Sequence, residues 1–319
     1  MRRYYGAMSA LAAVAISTTL LALAFADKPM PAVIKPDPAN WPNDRITISN
    51  LGHATVLMNF MGVRILTDPS LFDRVGLAFD SIFTVGPKRV SAPPLTSSEL
   101  QDVQLILITH AHMDHLDVPS LKALPKSATA VVCDKCSRLV APLGFADVRE
   151  LKWGESTDYA GLKITAIGAR HWGKRWPPYG MTYGFDSFVL EKDGHRVLIA
   201  CDSAYTDLFG ELANRPPEVA IFSNGAYDPW IWNHANPEQV WSMFKQTGAT
   251  YLVPIHWGTF RLGREPMDEP MSRLLAAAGA ESDRVVLREI GGTWTMPEAA
   301  QLEKTESAMP RDLSTPANR

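Results

Sequence analysis

The segment that most constrains the fold of this chain is residues 109–117, which read THAHMDHLD. Three imidazoles and two carboxylates stand there directly after the apolar run at residues 103–108. That run has the length and the isoleucine and leucine content of a buried strand. Imidazole and carboxylate are ligands that Zn2+ and similar ions prefer. The segment therefore predicts a metal site where a strand ends, the alternative being a polar loop that caps a helix.

The same pattern, an apolar strand followed by a metal-ligand side chain, recurs along the chain. It occurs at His171, Asp202 and His256, each of which follows an apolar run of strand length. Any one of these residues alone is more simply explained as a hydrogen-bonded polar group. Together with His110, however, four of them share one position relative to a strand. Strands that end at a common sheet edge bring such residues together, so we predict a single site.

Strand-like and helix-like segments cover both halves of the chain and predict two sheets covered by helices, an α/β (α+β) fold. The predicted strands are residues 45–49, 55–60, 62–66, 103–108, 162–167, 187–191, 196–200, 219–222, 251–255, 285–287 and 293–295. The predicted helices are residues 118–123, 237–247 and 270–278, and residues 70–98 are predicted to be loop with a short helix.

The N-terminal segment has a different composition from the rest. In residues 1–26, two arginines precede an alanine- and leucine-rich stretch that ends in Ala-Phe-Ala. This pattern predicts a secretory signal cleaved after Ala26, with an uncleaved membrane anchor as the alternative. We therefore expect an exported protein, periplasmic if the source is bacterial. Residues 27–44 are expected to form an extended segment, residues 45–297 the catalytic domain, and residues 298–319 a polar tail.

Charge and cysteine content indicate which binding partners and which cysteine chemistry to expect. Lysine and arginine number 31 against 34 aspartate and glutamate, so there is no basic excess that would indicate nucleic acid. Cys133 and Cys136 are separated by two residues. In an oxidising compartment a local disulfide is expected for this pair, and a redox motif or a second metal site are alternatives. The expected partner is a small-molecule or lipid substrate, with peripheral membrane contact as a further expectation.

The spacing of the ligand-type residues resembles the metallo-beta-lactamase superfamily. Shorter motifs are similar to its branch of N-acyl-phosphatidylethanolamine-hydrolysing phospholipases D. They stand at residues 52–55 (GHAT), 66–69 (LTDP), 86–89 (GPKR), 171–175 (HWGKR), 225–227 (GAY) and 255–260 (IHWGTF). The resemblance implies a four-layer αββα sandwich with a dinuclear zinc site at one edge of the sheets.

The resemblance also implies an assignment of ligands. It gives one zinc ion His110, His112 and His171, gives the other Asp114, His115 and His256, and makes Asp202 the bridge between them. Two ions about 3.5–4 Å apart can share a hydroxide and clamp the group that it attacks. Zinc suits these nitrogen and oxygen ligands, and iron and manganese are alternatives.

Several further residues are expected to support this site. Asp68 and Asp117 are predicted to orient ligand imidazoles, with a turn and a helix cap as their alternative roles. His53 is expected to be a structural hydrogen-bonder and not a ligand. His234 stands where the resembling family has an active-site histidine. It is expected to bind a substrate phosphate or to protonate a leaving group, the alternative being a solvated loop residue.

The residues around His171 give a first indication of the substrate. Lys174 and Arg175 are expected to pair with a phosphate charge. Six aromatic residues are candidates for lining an acyl groove, with packing in core and loops as the alternative: Trp172, Trp176, Tyr179, Trp230, Trp232 and Trp257.

Two features depart from the resembling family. Residues 201–203 read Cys-Asp-Ser where the family has Gly-Asp-Thr, which predicts less backbone freedom beside the bridging carboxylate. Met113 and Val118 replace aromatic residues of the phospholipase D branch. The lipid substrate therefore need not be identical to that of the branch.

The resemblance implies a dinuclear zinc hydrolase, and the N-terminal segment predicts that it is exported. The expected activity is that of a phosphodiesterase acting on an N-acyl-phosphatidylethanolamine-type phospholipid through a metal-bridging hydroxide. Asp114, Asp202 and His234 are the expected catalytic residues. A lactonase or other acyl hydrolase is the first alternative, and a metal-binding protein without turnover is the second.

Overall fold

The computed structural model describes residues 30–298, except residues 33, 80–82 and 177–180. The predicted signal segment, Tyr179 and the predicted tail beyond Glu298 lie outside the described residues. Within the part of the chain that is described, no helix combines the length and the apolar character that crossing a bilayer requires.

The described chain is built from strands joined by short helices. The strands are β1 (Ile46–Asn50), β2 (Val56–Phe60), β3 (Val63–Thr67), β4 (Leu77–Phe79), β5 (Phe83–Val85), β6 (Leu105–Ile108), β7 (Thr129–Cys133), β8 (Asp147–Leu151), β9 (Ser156–Tyr159), β10 (Leu162–Ile167), β11 (Ser187–Lys192), β12 (His195–Ile199), β13 (Val219–Ser223), β14 (Tyr251–Ile255) and β15 (Thr293–Thr295). The α-helices are α1 (Val118–Ala123), α2 (Ser137–Val140), α3 (Pro237–Thr247) and α4 (Glu269–Ala278). Short 3-10 helices cover Pro38–Asn40, Ser97–Leu100, Ala141–Leu143, Leu208–Asn214 and Gly279–Arg284.

The strands form two large sheets and one small hairpin. The first sheet has the order β15-β1-β2-β3-β6-β7-β8, the second has the order β14-β13-β12-β11-β10-β9, and β4 pairs with β5. Parallel pairing joins β3, β6 and β7, and also β12, β13 and β14, whereas β1–β2–β3 and β10–β11–β12 are antiparallel. It follows that β1, β3 and β6 share one direction, and that β10, β12, β13 and β14 share one direction in the other sheet.

The two sheets pack face to face and each carries helices on its outer face. Leu105 and Leu107 of β6 point into the cluster between the sheets, together with side chains of the second sheet such as Ile221. Ile106 and Ile108 of the same strand point outward and pack in the cluster that includes α1 and α2. A third cluster joins α3 and α4 to the outer face of the second sheet. The predicted four-layer αββα sandwich is confirmed.

Local signals fix the ends of the helices. Asp117 precedes α1 and accepts a hydrogen bond from the Ser120 backbone N at 3.0 Å, while Pro119 occupies the first turn. Asn236 and Gln239 form a reciprocal capping box at the start of α3. That helix ends at Gly248, whose φ of +71° is the left-handed conformation that glycine readily adopts.

The structure differs from the predicted elements in several places, and strand β7 and helix α2 are not among those elements. Residues 285–287 form no strand; Val285 makes only an isolated bridge to Leu252, and Leu287 has a positive φ of 57°. The preceding 3-10 helix runs directly into this segment, so the apolar run is too short to extend. Residues 70–98 contain the β4–β5 hairpin in addition to loop and a short helix. Strands β8 and β9 were not predicted because their sequences, DVREL and STDY, carry few apolar residues.

The expected disulfide is also not present. Cys133 and Cys136 are free thiols, both fully buried in the cluster beneath α2. Cys133 ends β7 and Cys136 precedes α2, so the two thiols serve as small apolar groups in the packing of that helix on the sheet. The close spacing of Cys133 and Cys136 therefore reflects the packing of the core.

Candidate metal centre

The seven predicted ligands come together at one end of the sandwich. They lie in the loops that follow the carboxyl ends of co-directional strands: β6 supplies residues 109–117, β10 supplies His171, β12 supplies Asp202, and β14 supplies His256. In parallel sheets these ends share one edge, which is where ligands usually bind. The first sheet supplies four of the seven ligands and the second sheet supplies three.

His110, His112 and His171 form one group. Their ligand nitrogens lie within 4.8 Å of one another. His112 Nδ1 is 2.8 Å from His110 Nε2 and 3.2 Å from His171 Nε2. His110 is fully buried, whereas His112 and His171 are partly accessible. The three nitrogens therefore face a common point.

Asp114, His115 and His256 form a second group, which His53 joins. Asp114 Oδ2 lies 3.5 Å from His115 Nε2 and 3.5 Å from His256 Nε2. The two imidazoles are stacked with their ring centroids 5.2 Å apart. A carboxylate oxygen and two imidazole nitrogens thus converge as three ligands of one ion would.

Asp202 lies between the two groups. Its Oδ2 is 3.1 Å from His115 Nε2 and 3.2 Å from His256 Nε2. The same oxygen is 3.9 Å from His110 Nε2 in the other group. The carboxylate is almost fully buried, and its Oδ1 accepts a hydrogen bond from the Ser223 hydroxyl. This is the position that a bridging ligand would need.

The donor set fits metal ions. Several buried imidazole nitrogens have no hydrogen-bond partner among the described residues, and leaving such an atom unpaired costs about 1–3 kcal/mol. They are His112 Nε2, His115 Nε2, His234 Nδ1, His256 Nδ1 and His256 Nε2. Two of them, His115 Nε2 and His256 Nε2, face the carboxylates of Asp114 and Asp202, and a cation held between these groups would remove the cost for both nitrogens.

The site is a cluster of opposite charges in a desolvated place. Burial disfavours the ionised form of Asp202, yet the imidazoles of His256 and His115 outweigh it and hold the pKa of that carboxyl well below its usual range. The pKa of the Asp114 carboxyl is also well below its usual range, because neighbouring imidazoles outweigh the effect of burial. Burial likewise lowers the pKa of His110, and its neighbouring imidazoles add to the effect. The carboxylates are therefore charged and His110 is neutral, which are the forms that bind metals. Although burial opposes it, the charge of Asp202 raises the pKa of His256 to about 9, so that this imidazole would release a proton when a metal binds.

Asp68 lies where the orienting role that was predicted for it would require. Its Oδ2 lies 2.9 Å from His115 Nδ1, and its carboxylate also accepts hydrogen bonds from the backbone N and the hydroxyl of Thr109. Thr109 Oγ1 in turn is 3.1 Å from His110 Nδ1. Because ligand imidazoles are oriented through their second nitrogen, Asp68 fixes the direction of His115 and indirectly that of His110.

Asp117 is the cap of a helix, the role given above as the alternative to orienting an imidazole. Its Oδ2 accepts hydrogen bonds from the backbone N and the hydroxyl of Ser120, and none of its hydrogen bonds within the described chain reaches an imidazole. Burial raises the pKa of this carboxyl to about 6. Asp117 therefore caps α1 and fixes the start of the helix that follows the ligand loop.

Three supporting contacts were not predicted from the sequence. The backbone carbonyl of Asn233 lies 2.9 Å from His171 Nδ1, and the Ser223 hydroxyl orients Asp202. Cys201 has a φ of +58°, the left-handed conformation that favours glycine, and its Sγ is 3.4 Å from His110 Nδ1. A backbone carbonyl leaves no sequence signal. Cys201, in contrast, stands where the resembling family has glycine, so that departure did mark a strained position.

A cavity of about 400 Å³ opens above the ligands. Its wall includes Lys174, Arg175 and His234. Arg175 Nη1 donates to the backbone carbonyls of Ala111 and Leu116, both at 2.8 Å, so this guanidinium also holds the ligand loop in place. His234 is largely buried, and its Nδ1 is 3.9 Å from Asp202 Oδ2.

The aromatic candidates divide between the cavity and the core. Trp172, Trp176 and Trp230 line the cavity and are exposed. Trp232 does not line it but is 76% exposed on the same loop as Trp230. Trp257 donates its indole N–H to the Pro254 carbonyl and packs against the outer cluster of the second sheet. Trp257 is therefore a packing residue.

The fold and the site define the class of this protein. A sequence-family model described as a beta-lactamase superfamily domain matches residues 63–257, more than half of the 319-residue chain. The chain belongs to the metallo-beta-lactamase superfamily. A solved structure, a possible metal-dependent hydrolase from Veillonella parvula DSM 2008, shares this fold. It has a TM-score of 0.64 and 20% identity, and the match covers 79% of this chain and 100% of that one.

Two relatives place the chain more narrowly. It is 33% identical over 254 residues to an uncharacterised protein of Mycobacterium tuberculosis; the match covers 74% of this chain but only 65% of that relative's length. It is 29% identical over 273 residues to N-acyl-phosphatidylethanolamine-hydrolyzing phospholipase D 1 of Caenorhabditis elegans, covering 76% of this chain and 74% of that protein. The chain is thus similar to the phospholipase D branch.

Proposed function

We propose that this protein is an exported dinuclear zinc hydrolase that cleaves a phosphodiester bond in a phospholipid-like substrate of the N-acyl-phosphatidylethanolamine type. The observation that carries the proposal is the convergence of His110, His112, His171, Asp114, His115, His256 and Asp202 beneath a cavity that has both cationic and aromatic walls. The similarity to a phospholipase D of Caenorhabditis elegans supports the choice of substrate.

The ligand set gives the site its proposed chemistry. When bound, zinc supplies an activated water and positive charge for the oxygens of the attacked phosphoryl group. Asp202 and Asp114, charged and held among imidazoles, bring negative charge to the base of the cavity. Zinc is proposed because it suits nitrogen and oxygen ligands, with iron and manganese as the alternatives that metal analysis would identify.

Three residues of the cavity wall are proposed to act on the substrate. The exposed ammonium of Lys174 attracts the phosphodiester charge. Arg175 spends one guanidinium nitrogen on the ligand loop and directs its remaining positive charge toward the cavity. His234, which faces Asp202 with an unpaired Nδ1, is placed to hold a phosphoryl oxygen. Burial lowers the pKa of its imidazole to about 3, so protonation of the departing alcohol, its other proposed role, would require the substrate phosphate to raise that pKa.

The mouth of the cavity favours a substrate that lies in a membrane. Three exposed tryptophans line it, Trp172, Trp176 and Trp230. Ile231 and Trp232, which follow Trp230 in the chain, are exposed as well. Tryptophan is suited to the boundary between lipid and water because it combines an apolar ring with a polar N–H. A monomer in water seldom exposes so many together. We therefore propose peripheral contact with a lipid surface at this rim.

A metal analysis combined with a substrate panel tests the proposed function. The purified protein is expected to bind two equivalents of metal and to hydrolyse bis-p-nitrophenyl phosphate and an N-acylated phosphatidylethanolamine. His112→Ala is expected to abolish turnover while the fold is retained, and His195→Ala, which changes a histidine outside the site, is the matched control. Turnover of a lactone alone would replace the phosphodiesterase with an acyl hydrolase. Bound metal without turnover of any substrate would leave a metal-binding protein.

Export and membrane contact have separate tests. Cell fractionation followed by N-terminal sequencing of the mature protein is expected to place it outside the cytoplasm with Asp27 as its first residue. Full-length protein retained in the membrane fraction would support the uncleaved anchor instead. Sedimentation with lipid vesicles is expected to decrease for Trp232→Ala relative to wild type; equal sedimentation would refute the rim as the contact.

A further inference from the structure

His53 is not one of the seven implied ligands, but it lies against two of them, Asp114 and His256. It lies in the loop between β1 and β2 and is 1% exposed. Its Nε2 is 2.8 Å from Asp114 Oδ2. Its ring centroid is 4.0 Å from that of His256. A residue 61 positions before Asp114 in the chain thus enters the second ligand group from a different strand pair.

The backbone of His53 also contacts that group. Its carbonyl accepts a hydrogen bond of 2.7 Å from the backbone N of His256. One residue therefore holds two ligands, Asp114 through its side chain and His256 through its main chain. Both ligands belong to the same group, and no corresponding contact to His112 or His171 is present among the described residues.

The loop that carries His53 is itself held firmly. The His53 backbone N donates to Thr259 Oγ1 at 2.7 Å. The carbonyl of Leu51, two residues before His53, accepts a hydrogen bond from Arg89, a buried arginine whose guanidinium also binds the Ser70 and Ser91 carbonyls. Gly52 allows this close approach, because a Cβ there would lie 2.5 Å from Arg89 Nη2. The imidazole of His53 is thus presented to Asp114 by a rigid frame.

The other ligands show what such a contact does. His115 is oriented by Asp68, and His171 by the Asn233 carbonyl. Asp202 is oriented by the Ser223 hydroxyl. Asp114 is partly exposed, with 17% of its side chain accessible, and the hydrogen bond that the described residues give its carboxylate comes from His53.

We propose that His53 is a positioning residue that aims the Asp114 carboxylate and thereby sets the affinity of the ion held by Asp114, His115 and His256. A nitrogen that donates a proton to a carboxylate has no lone pair left for a metal, so His53 Nε2 cannot act as a ligand while this hydrogen bond exists. The inference rests on the metal site of the proposed function and adds a specific partner for one of its two ions.

A pair of amide substitutions tests this role. His53→Gln retains an N–H donor at the distance of Nε2, whereas the amide of His53→Asn is one methylene too short to reach Asp114. Asparagine also tolerates the positive φ of 56° at this position. His195→Ala is the control for loss of a histidine elsewhere. Zn2+ alone is titrated into each metal-free protein by calorimetry with a competing chelator, and bound zinc is counted after gel filtration.

The expected result is a selective loss. In His53→Asn one zinc equivalent should bind about 10- to 100-fold less tightly while the other equivalent is unchanged. His53→Gln should stay within a few-fold of wild type. Equal and large losses in both variants would make His53 a ligand and overturn the proposal, as would unchanged binding in His53→Asn.

The zinc titration needs no substrate, so its result is separate from that for hydrolysis. Two zinc equivalents in wild type without turnover would refute the proposed hydrolase and leave the role of His53 standing. A wild-type protein that binds no Zn2+, Mn2+ or Fe2+ would overturn both. Thermal unfolding in the presence of chelator reports whether either variant has lost its fold, and the proposal is supported when both variants are folded and only His53→Asn has lost zinc affinity.

Discussion

Asp186 provides a stability prediction that is independent of the metal site. It precedes β11 and is 1% exposed, and neither carboxylate oxygen has a hydrogen-bond partner among the described residues. Burial raises the pKa of this carboxyl from 3.8 to about 8, and the nearby carboxylates of Asp134, Glu150 and Glu155 add to the effect. A buried charge without a partner is unfavourable, so the folded protein keeps the proton.

The sign of the pH dependence follows from this proton. Between pH about 4 and 8 the unfolded chain releases the Asp186 proton while the folded chain retains it, so the free energy of unfolding falls as the pH rises. One pKa unit corresponds to about 1.4 kcal/mol, and a shift from 3.8 to about 8 therefore predicts a loss of roughly 5 kcal/mol by pH 8. At and below pH 4 the contribution disappears.

Asp186→Asn removes the titrating proton and should remove this slope. Urea unfolding is measured at several pH values from 5 to 8 for wild type, Asp186→Asn and the control Asp158→Asn, which neutralises an exposed aspartate. The stability of Asp186→Asn relative to wild type should rise by about 1 kcal/mol per pH unit, whatever the offset at pH 5. A difference that does not change with pH, or one that Asp158→Asn reproduces, would refute the assignment of a neutral Asp186.

Three further substitutions test other features. Cys201→Gly should be about 1 kcal/mol more stable to urea than Cys201→Ala, because only glycine adopts the positive φ without strain; equal stabilities would contradict this. Arg89→Met should lower the unfolding free energy by about 3 kcal/mol or more, since three carbonyls lose their buried donor; a thermal midpoint within a degree of wild type would count against it. Gly225→Ala should weaken zinc binding, because the new Cβ would lie 2.2 Å from the His256 carbonyl. Gly210→Ala, which meets nothing within 4 Å, is its control, and equal zinc affinity in the two variants would oppose the prediction.

Much of the fold could be predicted because it depends on local patterns. Strand β6 is an apolar run bounded by polar residues, and α3 begins at a capping box and ends at Gly248. The strand predicted at residues 285–287 was wrong, although it rested on the same kind of local pattern. Three apolar residues satisfy a strand pattern, but Leu287 adopts a positive φ that breaks pairing, and that conformation depends on contacts distant in sequence.

The candidate site could be predicted only where side chains have a distinctive chemistry. Histidines and aspartates at strand ends marked the seven ligands, and the structure brings all seven together. The Asn233 carbonyl that orients His171 left no trace, because any residue type has a carbonyl. His53 was expected to be a hydrogen-bonder, but its partner Asp114 is fixed by the packing of two loops and not by spacing.

The division of the ligands between the two sheets has a consequence for how the protein matures. Each ion would be held by residues from both sheets, His110 and His112 with His171 in one group, and Asp114 and His115 with His256 in the other. A chain with only one sheet formed offers at most two of the three ligands of either group, so high affinity arises only after the sheets have packed together. Because a ligand that binds only the folded state stabilises it by mass action, bound metal then acts as a cross-link across the inner core. Metal uptake is therefore expected as the last step of folding, after the apolar faces have met.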